Sequence, residues 1–151
     1  MSSPRHHARE AALKILYFWE IGRSEPGQAI GAYFREHDPD APEPVRAFAT
    51  TLVEGTIAEL AALDAVIERH STHWRVERLA IVDRLILRIA AWELRHAGET
   101  PPAVVLNEAL ELARTFSTEE AVRFVNGVLD GIRKTMEQAP GGMPPAGEAD
   151  R

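Results

Sequence analysis

Several short stretches of this chain carry side chains whose types and spacing could do chemistry. Arg5-His6-His7-Ala8-Arg9 puts four nitrogen-bearing side chains into five consecutive positions. At the start of a helix such cations oppose the helix dipole, which favours negative charge at that end. Phosphate binding is one use for charge placed there; an ordinary solvated face is the other. Arg123-Phe124-x-Asn126 places Arg123 and Asn126 one helical turn apart with an aromatic ring between them. An exposed Phe124 in that setting could stack an unpaired base while its neighbours read the base edge. Buried, the same residue would simply be core. Asn107-Glu108-x-x-Glu111 sets two carboxylates at i and i+3, compatible with acid–base work or a metal, but no histidine on that stretch completes a ligand set. His70-x-x-His73 has metal-like spacing without a carboxylate or cysteine cluster beside it. No phosphate-cradling glycine loop, nucleophile elbow or His-Glu-x-x-His motif occurs. The expectation is therefore a binding protein and not an enzyme, with no catalytic residue, metal or cofactor.

The elements that must position these residues have room for one domain with its own core, since the chain is 151 residues long and 45% hydrophobic. It has no cysteine, which rules out disulfides and thiolate chemistry and suits a reducing cytoplasm. The N-terminus lacks the apolar core of a signal peptide. The most apolar window contains Asp83, Arg84 and Arg88, which a membrane span would not tolerate, so no membrane is expected as a partner. A formal charge of −6 opposes indiscriminate nucleic-acid binding. Any RNA site must be a small basic island, helped by a second protein.

Hydrophobic periodicity reads as helix throughout, with no repeat and no strand. Ser3 and Pro4 supply an N-cap and first position, Gly22 a stop, and Ala8, Ala11, Ala12, Ile15, Leu16 and Trp19 one buried face. A short helix over 28–36 and a proline-rich loop over 38–44 follow. One long helix is expected over 45–69, a break over 71–77 anchored by Trp74, and a central, largely buried helix over 79–97. Another helix is expected over 104–116, inward-facing through Val105, Leu106, Ala109, Leu112, Ala113 and Phe116. Ser117-Thr118-Glu119-Glu120 reads as a capping box for the last helix, with the Ser117 hydroxyl as cap and Glu120 reaching back. Residues 1–138 thus form the folded domain, and the Pro/Gly-rich stretch 139–151 is expected to be a disordered, dispensable tail.

Four stretches carry a family resemblance: Arg5-x-x-x-Arg9-Glu10-x-Ala12-x-x-x-Leu16-Tyr17, Val82-Asp83-Arg84-x-x-Leu87-Arg88-Ile89-Ala90-x-x-Glu93-Leu94, Pro102-x-Val104-x-Leu106-Asn107-Glu108-Ala109-x-Glu111-Leu112-Ala113, and Phe124-Val125-Asn126-Gly127-Val128-Leu129-Asp130. In this order and register the chain resembles the NusB family of bacterial transcription antitermination factors. The resemblance implies an all-α fold of about seven helices in two packed bundles. It also implies binding to boxA-type single-stranded RNA of nascent ribosomal RNA transcripts, jointly with the ribosomal protein NusE of the small-subunit S-ten family. The assembly helps RNA polymerase read through terminators. Carried over by position, the RNA-contacting residues are Arg5, His6, His7, Arg9, Arg88, Glu120 and Phe124, and the local sequence adds Arg123 and Asn126. The face for NusE falls at Tyr17, Glu77 and Asp83. His6 and His7 stand where the family often has arginines, so weaker or more pH-sensitive RNA binding is expected.

Two alternatives accompany this reading. One is the NusB-like RNA-binding domain of a ribosomal RNA methyltransferase, which would need a cofactor-binding domain after it, whereas this sequence stops at Arg151. The other is a protein-interaction module, such as a homodimer that buries its basic face.

Overall fold

A computed structural model describes residues 3–71, 75–96, 98 and 100–138. Among them are seven α-helices, one 3₁₀ turn and no strand: α1 (Pro4–Gly22), α2 (Pro26–His37), α3 (Glu43–Ala58), α4 (Leu60–His70), the turn Val76–Arg78, α5 (Ile81–His96), α6 (Pro102–Phe116) and α7 (Glu119–Gln138). The all-helical expectation holds. The expectations for Trp74, His73 and the stretch 139–151 fall outside the described residues. The chain divides into two compact units, residues 1–58 and 59–151.

In the first unit α1 packs mainly on α3, and α2 leans on both. The Ser3 hydroxyl accepts the His6 N–H at 3.1 Å and Pro4 opens the helix, satisfying an amide that would otherwise lack a partner. Ala8, Ala11, Ala12, Ile15, Leu16 and Trp19 are buried as their spacing requires. The helix ends at Gly22, but the residue that takes the left-handed conformation is Arg23 (φ 54°). That backbone is unfavourable for a residue with a Cβ. It is held by the Arg23 N–H donating to the Trp19 carbonyl at 2.7 Å and by its guanidinium lying 4.9 Å over the Trp19 ring.

The single helix expected over 45–69 is two helices. The chain leaves helical geometry at Glu59 (φ −119°, ψ 23°), and α4 starts afresh at Leu60. Local propensity gives no reason for a break there. The Glu59 carboxylate is instead captured by α5, accepting from Trp92 Nε1 at 3.2 Å and pairing with His96 Nε2 at 2.6 Å. A tertiary anchor overrides a good helical sequence.

In the second unit α5 is the central element, packed against α4, α6 and α7. Leu85, Ile86, Leu87, Ile89 and Leu94 are buried, each stabilising by about 1.5–3 kcal/mol. Arg88 is buried with them, and its Nε and Nη2 donate to the two oxygens of Asp64 on α4 at 2.7 and 2.8 Å. Such a bidentate fork offsets part of the desolvation of the guanidinium. Where α4 meets α7, a Cβ added to Gly131 would lie 2.8 Å from Cδ2 of His70, so the glycine is the space the His70 ring occupies.

The start of α7 differs by one residue from the expected capping box. Thr118 Oγ1, not Ser117, accepts the first-turn amide of Ala121 at 3.0 Å. The Ser117 hydroxyl turns away and donates to Asp83 Oδ1 of α5 at 2.6 Å. Glu120 is exposed, and with Glu119 it places negative charge in the first turn, where the helix dipole favours it.

Candidate nucleic-acid interface

The candidate residues fall on two surfaces, one in each unit. On the first, the opening turns of α1 present Arg5, His6, His7 and Arg9, and the structure treats the four differently. His6 Nε2 meets Glu10 Oε1 at 3.1 Å, one helical turn along. His7 Nε2 meets Asp38 Oδ2 at 2.7 Å, across from the end of α2. An ionised carboxylate only accepts, so each ring presents its Nε2 proton to an acid and not to solvent. Burial, and after it the nearby Asp38 and Glu10 carboxylates, pushes the Tyr33 phenol above its ordinary value. Arg9 is 2% exposed and belongs to the core. Arg5 alone of the four is exposed, with its guanidinium 4.0 Å above the Phe48 ring of α3. The expected basic strip therefore reduces to one outward cation, because an i+4 acid, a loop aspartate and the core take up the others.

On the second surface, an open cleft of about 270 Å³ lies between the entry to α5 and the start of α7. Arg78, Leu79, Asp83, Thr118, Glu120 and Phe124 line it. Three expected residues distant in sequence, Asp83, Glu120 and Phe124, thus meet in one place. Phe124 is half-buried, so neither a wholly free stacking platform nor a wholly internal residue describes it: part of the ring faces the cleft. Arg123 and Asn126 are exposed on α7 on either side of it in sequence, and Gly127 is open, with nothing within 4 Å of an added Cβ. Gly127 does not serve close helix packing; Gly131, one turn later, does. Glu77 is exposed and lies 3.6 Å from the equally exposed Arg75.

Arg88 is not part of this cleft. Its guanidinium is turned inward onto Asp64, tying α5 to α4. Tyr17 is on the first unit, 38% exposed and edge-on to Phe18 at 6.2 Å. Phe18 in turn stacks on His37 at 5.6 Å. Sequence reasoning missed Arg78, Leu79 and Phe48. Arg78 falls between the break expected over 71–77 and the helix expected from 79, and nothing local ties Phe48 to Arg5.

Charge pairing separates the remaining cations. Several exposed or partly exposed basic side chains meet an acid, as in Arg114–Glu111, Arg133–Asp130 and Lys134–Asp130. Among the described residues, the exposed arginines with no carboxylate in ion-pair reach are Arg5, Arg35, Arg78 and Arg123. Arg78 lines the cleft, Arg123 precedes its Phe124 on α7, and Arg5 stands at the head of α1. Among the same residues no helix is long and apolar enough to cross a membrane.

Fold and surfaces define a small all-helical binding module, with unneutralised arginines set beside a half-buried aromatic ring. The NusB family model matches residues 6–134. The transcription antitermination protein NusB of Solibacter usitatus is 46% identical over 89% of this chain and 91% of its own length. That of Sorangium cellulosum is 46% identical over 87% and 93%. Among solved structures, NusB of T. maritima superposes with a TM-score of 0.81 at 33% identity, covering 93% of this chain and 96% of that one. An antitermination-factor structure of NusB with NusE and double-stranded RNA gives 0.80 at 29% identity, covering 89% and 99%. The chain belongs to the NusB family.

Proposed function

We propose that this chain is a cytoplasmic antitermination factor that binds boxA-type RNA of nascent ribosomal RNA transcripts together with NusE, and so helps RNA polymerase read through terminators. The observation that carries the reading is the near full-length match to NusB in a structure that holds NusE and RNA. We read residues 1–138 as one RNA-binding domain and the chain as a binding factor, not an enzyme.

Within this reading, Arg5 and Arg123 contact phosphates, Phe124 stacks an unpaired base, and Asn126 and Glu120 read base edges. Tyr17, Glu77 and Asp83 face the protein partner. His6, His7, Arg9 and Arg88 act through the positions they give to α1 and α5. The cleft mixes Arg78 with Asp83 and Glu120, and the chain carries −6 overall, so its own attraction for phosphate is weak. A basic partner is what completes the site.

The test is a titration of labelled boxA RNA with the chain alone, NusE alone and both, at several salt concentrations. Feeble binding by the chain and tight binding by the pair is expected. RNA bound no better by the pair than by NusE alone would sink the proposal.

A further inference from the structure

We infer that Phe48 is a positioning residue for RNA, holding Arg5 in place for a phosphate by the face of its ring; this rests on the RNA-binding reading above. Phe48 lies on α3, the helix against which α1 packs most extensively, and is half-buried. The Arg5 guanidinium is 4.0 Å above the ring centroid. Arg9, one turn along, is 5.3 Å from the same ring but 2% exposed, so of the two cations only Arg5 faces outward.

The choice of partner matters chemically. A carboxylate would hold Arg5 equally well but would cancel its charge and occupy its N–H groups, as Glu10 and Asp38 do for the neighbouring histidines. An aromatic face attracts the cation through its quadrupole and carries no net charge. The guanidinium stays fully positive and its N–H edge stays open to a phosphate. Arginine also has many rotamers to lose on binding, and the ring removes part of that cost before RNA arrives.

The test compares Phe48→Leu, Phe48→Tyr, Arg5→Ala and the Phe48→Leu/Arg5→Ala double variant, each bound to boxA RNA in the presence of NusE. Phe48→Leu should weaken binding about two- to five-fold, and Phe48→Tyr, which keeps the ring face, should restore it. Arg5→Ala should weaken binding further and lower the log–log salt slope by about one. In the double variant the loss of Phe48 should add nothing to the loss of Arg5. A second readout needs no RNA, and its wild-type arm needs no substitution. In the free wild-type protein the Arg5 δ-protons should be shifted upfield by the ring current, and should lose that shift in Phe48→Leu. Unshifted Arg5 protons in the wild type, or additive losses in the double variant, would overturn the positioning role. Shifted protons in a protein that fails to bind RNA even with NusE would instead overturn the RNA-binding reading and take the role with it.

Discussion

Ser117 Oγ donates a 2.6 Å hydrogen bond to Asp83 Oδ1, joining the entry of α7 to the first turn of α5. The bond links the two walls of the cleft that Asp83, Glu120 and Phe124 share. It also takes Ser117 away from the helix cap, which passes to Thr118.

This division of labour predicts different failures for two adjacent substitutions. Thr118→Ala should cost about 1 kcal/mol and speed hydrogen exchange at the Ala121 amide. Ser117→Ala should cost about 1–2 kcal/mol through the lost bond to a carboxylate, with the Ala121 amide still protected. Amide exchange on both variants decides it; faster exchange at Ala121 in Ser117→Ala would restore the serine as cap.

The two glycines of α7 should respond with opposite sign. Gly127→Ala meets open space and should stabilise by up to about 1 kcal/mol, the helix-propensity gain. Gly131→Ala drives a methyl into the His70 ring, which is held by the Val66 carbonyl and Thr135 Oγ1 at 3.1 Å each. Overpacking should outweigh propensity and leave a net loss of about 1–2 kcal/mol. Denaturant melts read both values, and a Gly131→Ala protein as stable as the wild type would show that His70 moves aside freely.

Arg88 should be required for stability and not for direct contact with RNA. Arg88→Ala leaves Asp64 without its bidentate partner and should cost about 3 kcal/mol, the lower end of what breaking a buried pair costs, because Asp64 is partly exposed. At a temperature where the variant is folded, its RNA affinity with NusE should stay within about two-fold of the wild type, and its salt slope should be unchanged. A slope lowered by a full unit would make Arg88 a phosphate ligand after all.

Arg123 and Phe124 should separate phosphate contact from base stacking. Arg123→Ala should weaken binding to many RNA sequences alike and reduce the salt slope by about one unit. Phe124→Ala should cost about 1–3 kcal/mol of RNA affinity at constant slope if a base stacks on the exposed part of the ring. Stability must be measured on the same protein, since loss of a fully buried Phe would cost about 3–5 kcal/mol and this ring is only half-buried. A strongly destabilised variant that binds boxA normally in the cold would place Phe124 in the core alone.

Helix content, most helix ends and the buried faces of α1, α5 and α6 were readable from the sequence by itself, because they follow from short-range causes. Ser3 and Pro4 start a helix through groups within one turn of each other, and the 3.6-residue spacing of Ala8, Ala11, Ala12, Ile15 and Leu16 already states which face must leave water. The four motif stretches also carried the family, since they keep their order and register over nearly the whole described chain. Only the tertiary structure decided which charged groups remain available. His7 is held by Asp38 from 31 residues away, Arg88 by Asp64 from 24, and Ser117 by Asp83 from 34. Glu59 ends α3 because Trp92 and His96 capture its carboxylate, not because its neighbours disfavour a helix. Each of these outcomes is a competition between partners that only folding brings within about 3 Å, where a hydrogen bond has its strength. A basic residue in a sequence states a charge; whether that charge is spent on an acid, buried, or left to meet a phosphate depends on what packs beside it.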